Sequence, residues 1–214
     1  MKIQAIYHGS FPQVFRLYSR FRPNVRQLKL VLDVEPAGGL TRERFIHLYS
    51  TLARNFPSLV RHNCCDEWQG LPLFLQEEEG VAIKRVGECA DIAHLVEHII
   101  VDCMVRLDDM SSCSGITCGH KNPENRFDIF VECENVRTGL FVSHYAVHLV
   151  KKVLSKKGFS RRNLLVLELA KYLLEHPEVL PDPVRLSDEI GWREGEILFA
   201  LNSLRRFQFF DMAA

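Results

Sequence analysis

The chain has 214 residues, 47% of them from the set AVILMFWYC and 25% charged, which is the composition of a folded protein with a sizeable core rather than a disordered one. Its 27 Lys+Arg balance its 27 Asp+Glu, so no global attraction to nucleic acid or to an anionic membrane is expected, only local patches. No apolar run reaches about 18 residues, so no membrane-spanning helix is read. The opening "MKIQAIYHGSFPQVFRLYSRFR" is broken by polar and basic residues too early for a secretory apolar region, and a cytoplasmic protein is the expectation.

In chain order, "QLKLVLDVE" alternates, with Leu28, Leu30, Leu32 and Val34 on one face and Lys29, Val31, Asp33 and Glu35 on the other, which is a half-buried strand. "PAGG" breaks it. Thr41 can cap a helix that runs to about Asn55, with Phe45, Leu48, Leu52 and Phe56 at helical spacing, and Pro57 ends it. "SLVRHNCCDEWQGLPLFLQEEEG" mixes turn residues with short apolar runs and reads as loop, and "GVAIKRVGECA" as a short strand and connection. A helix is expected from about Ala90 to Leu107, then a loop over "DDMSSCSGITCGHKNPEN". "RFDIFVECEN" reads as a strand with Phe127, Ile129, Val131 and Cys133 on one face and Asp128, Phe130 and Glu132 on the other. "TGLFVSHYAVHLVKKVL" closes this part as an amphipathic helix.

The Gly-containing basic segment "SKKGFSRR" marks the expected domain boundary, dividing residues 1–155 from 160–214. Beyond it every pattern is helical: a first helix through Leu164, Leu167, Leu169, Leu173 and Leu174, a second over "VRLSDEIG" ended by Gly191, and a third over "EGEILFALNSLRRFQFF". Three helices at this spacing resemble a helix-turn-helix or winged-helix module. The expected fold class is thus α+β, a small mixed domain with a central helix packed on a sheet, followed by a small all-α, winged-helix-like domain. Lys151, Lys152, Lys156, Lys157, Arg161 and Arg162 form a local basic run that would suit DNA, but Glu194 and Glu196 open the third helix where a recognition helix offers donors. Packing or dimerisation is the preferred role, and nucleic acid the lesser one.

The chemistry sits in "ADIAHLVEHIIVDC". His94, Glu97 and His98 form H-x-x-E-H on the central helix, opposite an apolar stripe of Ile92, Val96, Ile99, Ile100, Cys103 and Leu107. Histidines four apart stack one turn above the other, where two imidazoles can hold one zinc ion, and the adjacent Glu can serve as general base. Val101 and Val105 extend this face, so something must cover part of it, and Asp102 lies one turn on, placed to orient an imidazole. Zinc needs a third protein ligand. Glu132, on a strand face within an apolar stretch, is a candidate, as are His62, Asp102, His120 and Asp128. The bland alternative is two histidines and a glutamate on an ordinary solvated helix edge. The seven cysteines are odd in number and lack C-x-x-C pairs, so they read as reduced thiols; Cys64 near His62 is the nearest approach to a thiol nucleophile.

"FPSLVRHNC", "ADIAHLVEHIIVD", "SGIT" and "RFDIFVECEN", in this order, resemble the N-terminal domain of cyanophycin synthetase, over roughly residues 1 to 154. In some members of that family the resemblance implies a zinc-peptidase-like site that cuts an Asp–Arg polymer, in others a polymer-binding domain. Carried over by position, His94 and His98 would be metal ligands, Glu97 the general base, and Glu132 the third ligand. Ile116 and Cys118 flank Thr117 where the family loop has arginines, which removes two carboxylate-binding groups. These 214 residues hold no P-loop and neither synthetase domain, so synthetase activity is not expected of them. The expectation is a Zn2+-dependent, metallopeptidase-like hydrolase of a peptide or isopeptide amide, with a peptide-like or polymeric amide as substrate and a homo-oligomer as one state. The rival is a non-catalytic binding or regulatory protein of the same family.

Overall fold

A computed structural model describes residues 1–17, 19–22, 24–35, 42–56, 87–109, 112–155 and 157–210. In chain order the elements are β1 (Lys2–Gly9), α1 (Val14–Leu17), β2 (Gln27–Asp33), α2 (Arg42–Ala53), α3 (Gly87–Leu107), β3 (Gly115–Gly119), β4 (Arg126–Glu132), α4 (Val136–Leu154), α5 (Arg161–Glu175), α6 (Pro183–Ile190) and α7 (Glu194–Arg206). This is the mixed α+β class expected. The strands form one antiparallel sheet in the order β1-β2-β4-β3. No helix among the described residues is long and apolar enough to cross a membrane.

Alternation in β2 and β4 decides which face of the sheet is covered. Leu28, Leu30, Leu32 and Val34, with Ile129, Val131 and Cys133, are all fully buried. They meet α3 and α4, which lie side by side on that face. Helix α4 starts where the Asn135 side chain accepts from the backbone N–H groups of Arg137 and Thr138. It then comes close to the sheet: a methyl group on Gly139 would sit 2.7 Å from Cys133 Sγ and 3.1 Å from Leu28 Cδ1. The opposite face carries a smaller cluster of Val14, Phe21 and Phe130, with Phe11, Phe15, Ile116 and Cys118 against it. That cluster places the connection from β1 to β2 over the outer side.

Three boundaries differ from expectation. Strand β1 falls in a segment to which the sequence assigned no element; its register with β2 shifts between Ile3 and Ala5 and none of its residues is fully buried. Residues 87–90, expected in a strand or connection, are the first turn of α3. Strand β3 lies within the segment read as loop, five residues of "GITCG" among Ser, Gly and Asn. Thr41 and residues 57–86, with His62 and Cys64, lie outside the described residues.

After Gly158, which takes a left-handed φ of +65°, the chain is helical, and no strand follows among the described residues, so the structure supplies the helices of the expected module without a wing. Gly191, at φ +75°, caps α6 in the left-handed conformation that permits a tight turn into α7. The buried faces of α5, α6 and α7 join the same continuous core as α3 and α4. Across that junction the Tyr145 hydroxyl donates to the Asn163 carbonyl at 2.7 Å, and Phe141 packs edge-on against Phe209.

Candidate functional site

Helix α3 is buried nearly all round from Ile92 to Leu107, because α4 and the sheet cover one side and β3 reaches the other. The motif is therefore not a solvated helix edge. Glu97 is 6% and His98 5% exposed, while the His94 side chain is 31% exposed and opens the group to solvent. Val101, flagged by its place on this face, is covered by Gly115 of β3.

The two imidazoles meet edge to face, with His94 Nε2 and His98 Nε2 2.9 Å apart. Glu97 Oε2 lies 3.4 Å from His94 Nδ1. A carboxylate there favours the tautomer with hydrogen on Nδ1, which leaves the Nε2 lone pair facing His98. The Thr117 hydroxyl donates to the same Glu97 oxygen at 2.5 Å. The other oxygen, Oε1, lies over Gly115, 2.7 Å from where a Cβ on that residue would stand. Thr117 pairs with Ile129 and Gly115 with Val131, so both sit on the core face of the sheet, toward α3. The "SGIT" segment and the H-x-x-E-H helix, with Thr117 and Glu97 20 positions apart, thus build one site. Gly115 and Thr117 belong to the "SGIT" segment that carries the family resemblance, but spacing alone gives them no role, since nothing in a Ser- and Gly-rich stretch shows what they face.

Glu132 is not brought to this group. It pairs with Gln27 across the sheet and lies on the outer face with Phe130 and Asp128. There, almost fully buried, it accepts from the Arg22 backbone N–H at 2.7 Å, from Arg22 Nε and Nη2 at 3.2 and 3.0 Å, and from the Ser114 backbone N–H at 3.2 Å. The carboxylate in an apolar stretch did need a partner, as its burial demands. That partner is a guanidinium with two amides, and the thickness of the sheet separates it from the histidines. His120 and Asp128 also pair with each other on the outer side, at 3.0 Å, with Lys29 2.7 Å from the same carboxylate. Asp102 is buried beside the guanidinium of Arg106, at 2.7 Å. Burial pushes its carboxyl up to about 6, against the opposing pull of Arg106.

The described cysteines are all free thiols. Burial pushes Cys133 up to about 12 and raises Cys103 and Cys113 further, the opposite of what a nucleophile needs. Among the described residues no group of three His, Cys, Asp or Glu side chains is placed to hold a metal ion.

Fold and site together define an α+β domain in which one helix carries a His–Glu–His cluster against the edge of an antiparallel sheet. A family model described as the cyanophycin synthase-like N-terminal domain matches residues 29–155, more than half of the chain. The chain belongs to the cyanophycin synthase-like N-terminal domain family. The match spans β2 to the end of α4 and so contains the whole candidate site; β1 and the three C-terminal helices lie outside it. No curated protein matches the chain.

Proposed function

We propose that the chain is a zinc-dependent hydrolase of an amide bond, peptide or isopeptide, working at His94, His98 and Glu97. One observation carries the reading: two imidazole Nε2 atoms converge to 2.9 Å beside a buried carboxylate. Imidazole nitrogens are ordinary zinc ligands, and two of them meeting on one helix face would supply two of the ligands such an ion needs. His94 and His98 would hold the ion, and the Glu97 carboxylate, 3.4 Å from His94 Nδ1, would be the outer partner that a metal-binding imidazole commonly has.

A zinc ion supplies Lewis acidity toward a carbonyl oxygen and toward water. The protein supplies the rest. His94 and His98 now share a hydrogen at their Nε2 atoms, and both would offer those nitrogens to the ion once His98 takes the tautomer with hydrogen on Nδ1. Glu97 would take a proton from the attacking water and return it to the leaving amine. Thr117 fixes the other oxygen, so the carboxylate turns neither away from His94 nor into the core. Burial keeps Glu97 out of bulk water, where solvation would weaken its basic action.

The rival is a binding protein that keeps this fold without turnover, favoured by the lack of a third ligand among the described residues. Glu194 and Glu196 in the first turn of α7 argue against phosphate there, so a nucleic-acid partner is not preferred. Metal analysis of untagged protein decides first: about one zinc per chain, lost in His94→Ala and His98→Ala, is expected. A Glu97→Gln variant should keep the zinc and lose amide hydrolysis. Substoichiometric zinc after reconstitution at neutral pH would sink the hydrolase reading.

A further inference from the structure

Strand β3 is an edge strand, bonded on one side to β4. Two ladder bonds just outside it, from the Glu132 N–H to the Ser114 carbonyl and from the His120 N–H to the Arg126 carbonyl, set the phase of the pairing. In an antiparallel ladder, hydrogen-bonded pairs recur every second residue. Ile116 and Cys118 therefore turn their backbone groups toward β4. Gly115, Thr117 and Gly119 turn theirs outward, each offering one N–H and one carbonyl, and no described residue bonds to any of them.

Proteins usually protect such edges with charge, proline or bulges. The opposite edge does so: β1 carries Lys2 and a register shift between Ile3 and Ala5. "GITCG" has no charged residue, no proline and no shift in its pairing. Its exposed edge also belongs to the same residues that hold Glu97, since Thr117 donates to that carboxylate and Gly115 lies under its other oxygen.

We infer that an extended polypeptide segment of the substrate docks on the free edge of β3 as an added strand, bonded to the backbones of Gly115, Thr117 and Gly119 and so carried past the His94–Glu97–His98 cluster. Main-chain bonding on an edge gives affinity with little regard for sequence and leaves choice to pockets for alternate side chains. This rests on the hydrolase reading and narrows its substrate to one with a continuous, extended α-peptide backbone, whichever amide is cut.

The test is amide hydrogen exchange by NMR on the full-length Glu97→Gln chain, so that turnover cannot consume the probe. The probe is acetyl-Thr-Val-Thr-Val-Thr-amide at millimolar concentration, beside the same peptide N-methylated at every residue so that neither edge can donate. The expected result is at least tenfold slower exchange at Gly115, Thr117 and Gly119 with the first peptide and none with the second. Gly119→Pro, which removes one outward N–H, should weaken the effect at least tenfold, while Gly119→Ala should keep it. Equal protection by both peptides, or by neither, would overturn the inference. So would protection that rises with protein concentration without peptide, which would assign the edge to a second copy of the chain. Protection without zinc or hydrolysis would remove only the hydrolase reading, and hydrolysis without protection only this one.

Discussion

Replacing Gly115 by alanine tests whether β3 holds Glu97 in place. The added methyl would stand 2.7 Å from Glu97 Oε1, 2.9 Å from Val101 Cγ2 and 3.0 Å from Glu97 Cγ. Glu97 is 6% and Val101 3% exposed, so neither can retreat into solvent. Overpacking of this kind costs about 1–3 kcal/mol, and the stiffer unfolded chain returns about 0.4–1 kcal/mol. The backbone adds no strain, because Gly115 is not in the left-handed region. A net loss of about 1–2 kcal/mol follows. With a urea slope of about 1–3 kcal/mol/M, the unfolding midpoint should fall by roughly 0.3–2 M. Gly119→Ala is the control: its methyl would meet only Phe127, at 3.6 Å, and should leave the midpoint unchanged or slightly raised. The displaced Glu97 also loses the Thr117 bond, so amide hydrolysis should fall about tenfold or more, since 1.4 kcal/mol corresponds to a factor of ten. If Gly115→Ala unfolds at the same urea concentration as Gly119→Ala and turns over at the wild-type rate, β3 does not position this carboxylate.

Thr117→Val removes the hydroxyl at constant shape and should lower kcat about tenfold to a hundredfold with KM little changed, on the worth of a hydrogen bond to a charged group; Thr117→Ser should restore it, and a Val variant with full kcat would discount the contact. Asp102 gives a pH signature. Its carboxyl is raised to about 6 from about 3.9 in the unfolded chain, so its contribution to stability is complete below about pH 4 and is lost as pH rises through 6. Relative to wild type, Asp102→Asn should therefore be about 2–3 kcal/mol more stable at pH 7 than at pH 4 in urea unfolding, and a difference flat across that window would refute the assignment. Glu132→Gln should keep zinc at the wild-type stoichiometry, because the carboxylate serves Arg22 on the other side of the sheet. Arg22→Ala leaves that carboxylate buried and half-satisfied, and because Arg22 is about half exposed the loss should be only about 1–3 kcal/mol. Loss of zinc from Glu132→Gln would return that residue to the metal site.

Much of the fold was legible because burial leaves a period. Leu28 to Val34 and Phe127 to Cys133 alternate, and both strands formed with those residues inside. The helix bearing His94, Glu97 and His98 could be read from its apolar stripe, and spacing alone put the two rings on one edge, since that is local geometry. Strands β1 and β3 were not legible, because edge strands bury little and so carry little alternation.

The pairing of Glu132 could not be read from the chain either. A strand pattern separates two faces but does not say which one meets a given helix; β4 turns Ile129 and Val131 toward α3, which sends Glu132 outward to Arg22, a residue 110 positions earlier. In the same way, only the packing of α3 against β3 brought Thr117 and Gly115 to Glu97. By itself the sequence determined the local facts, a His–Glu–His edge on a core helix and two buried strand faces, because those depend on residues a few positions apart. The tertiary structure decided which side of the sheet each carboxylate occupies, and which strand edge lies beside the histidines, because those depend on strand order and on contacts between segments distant in the chain.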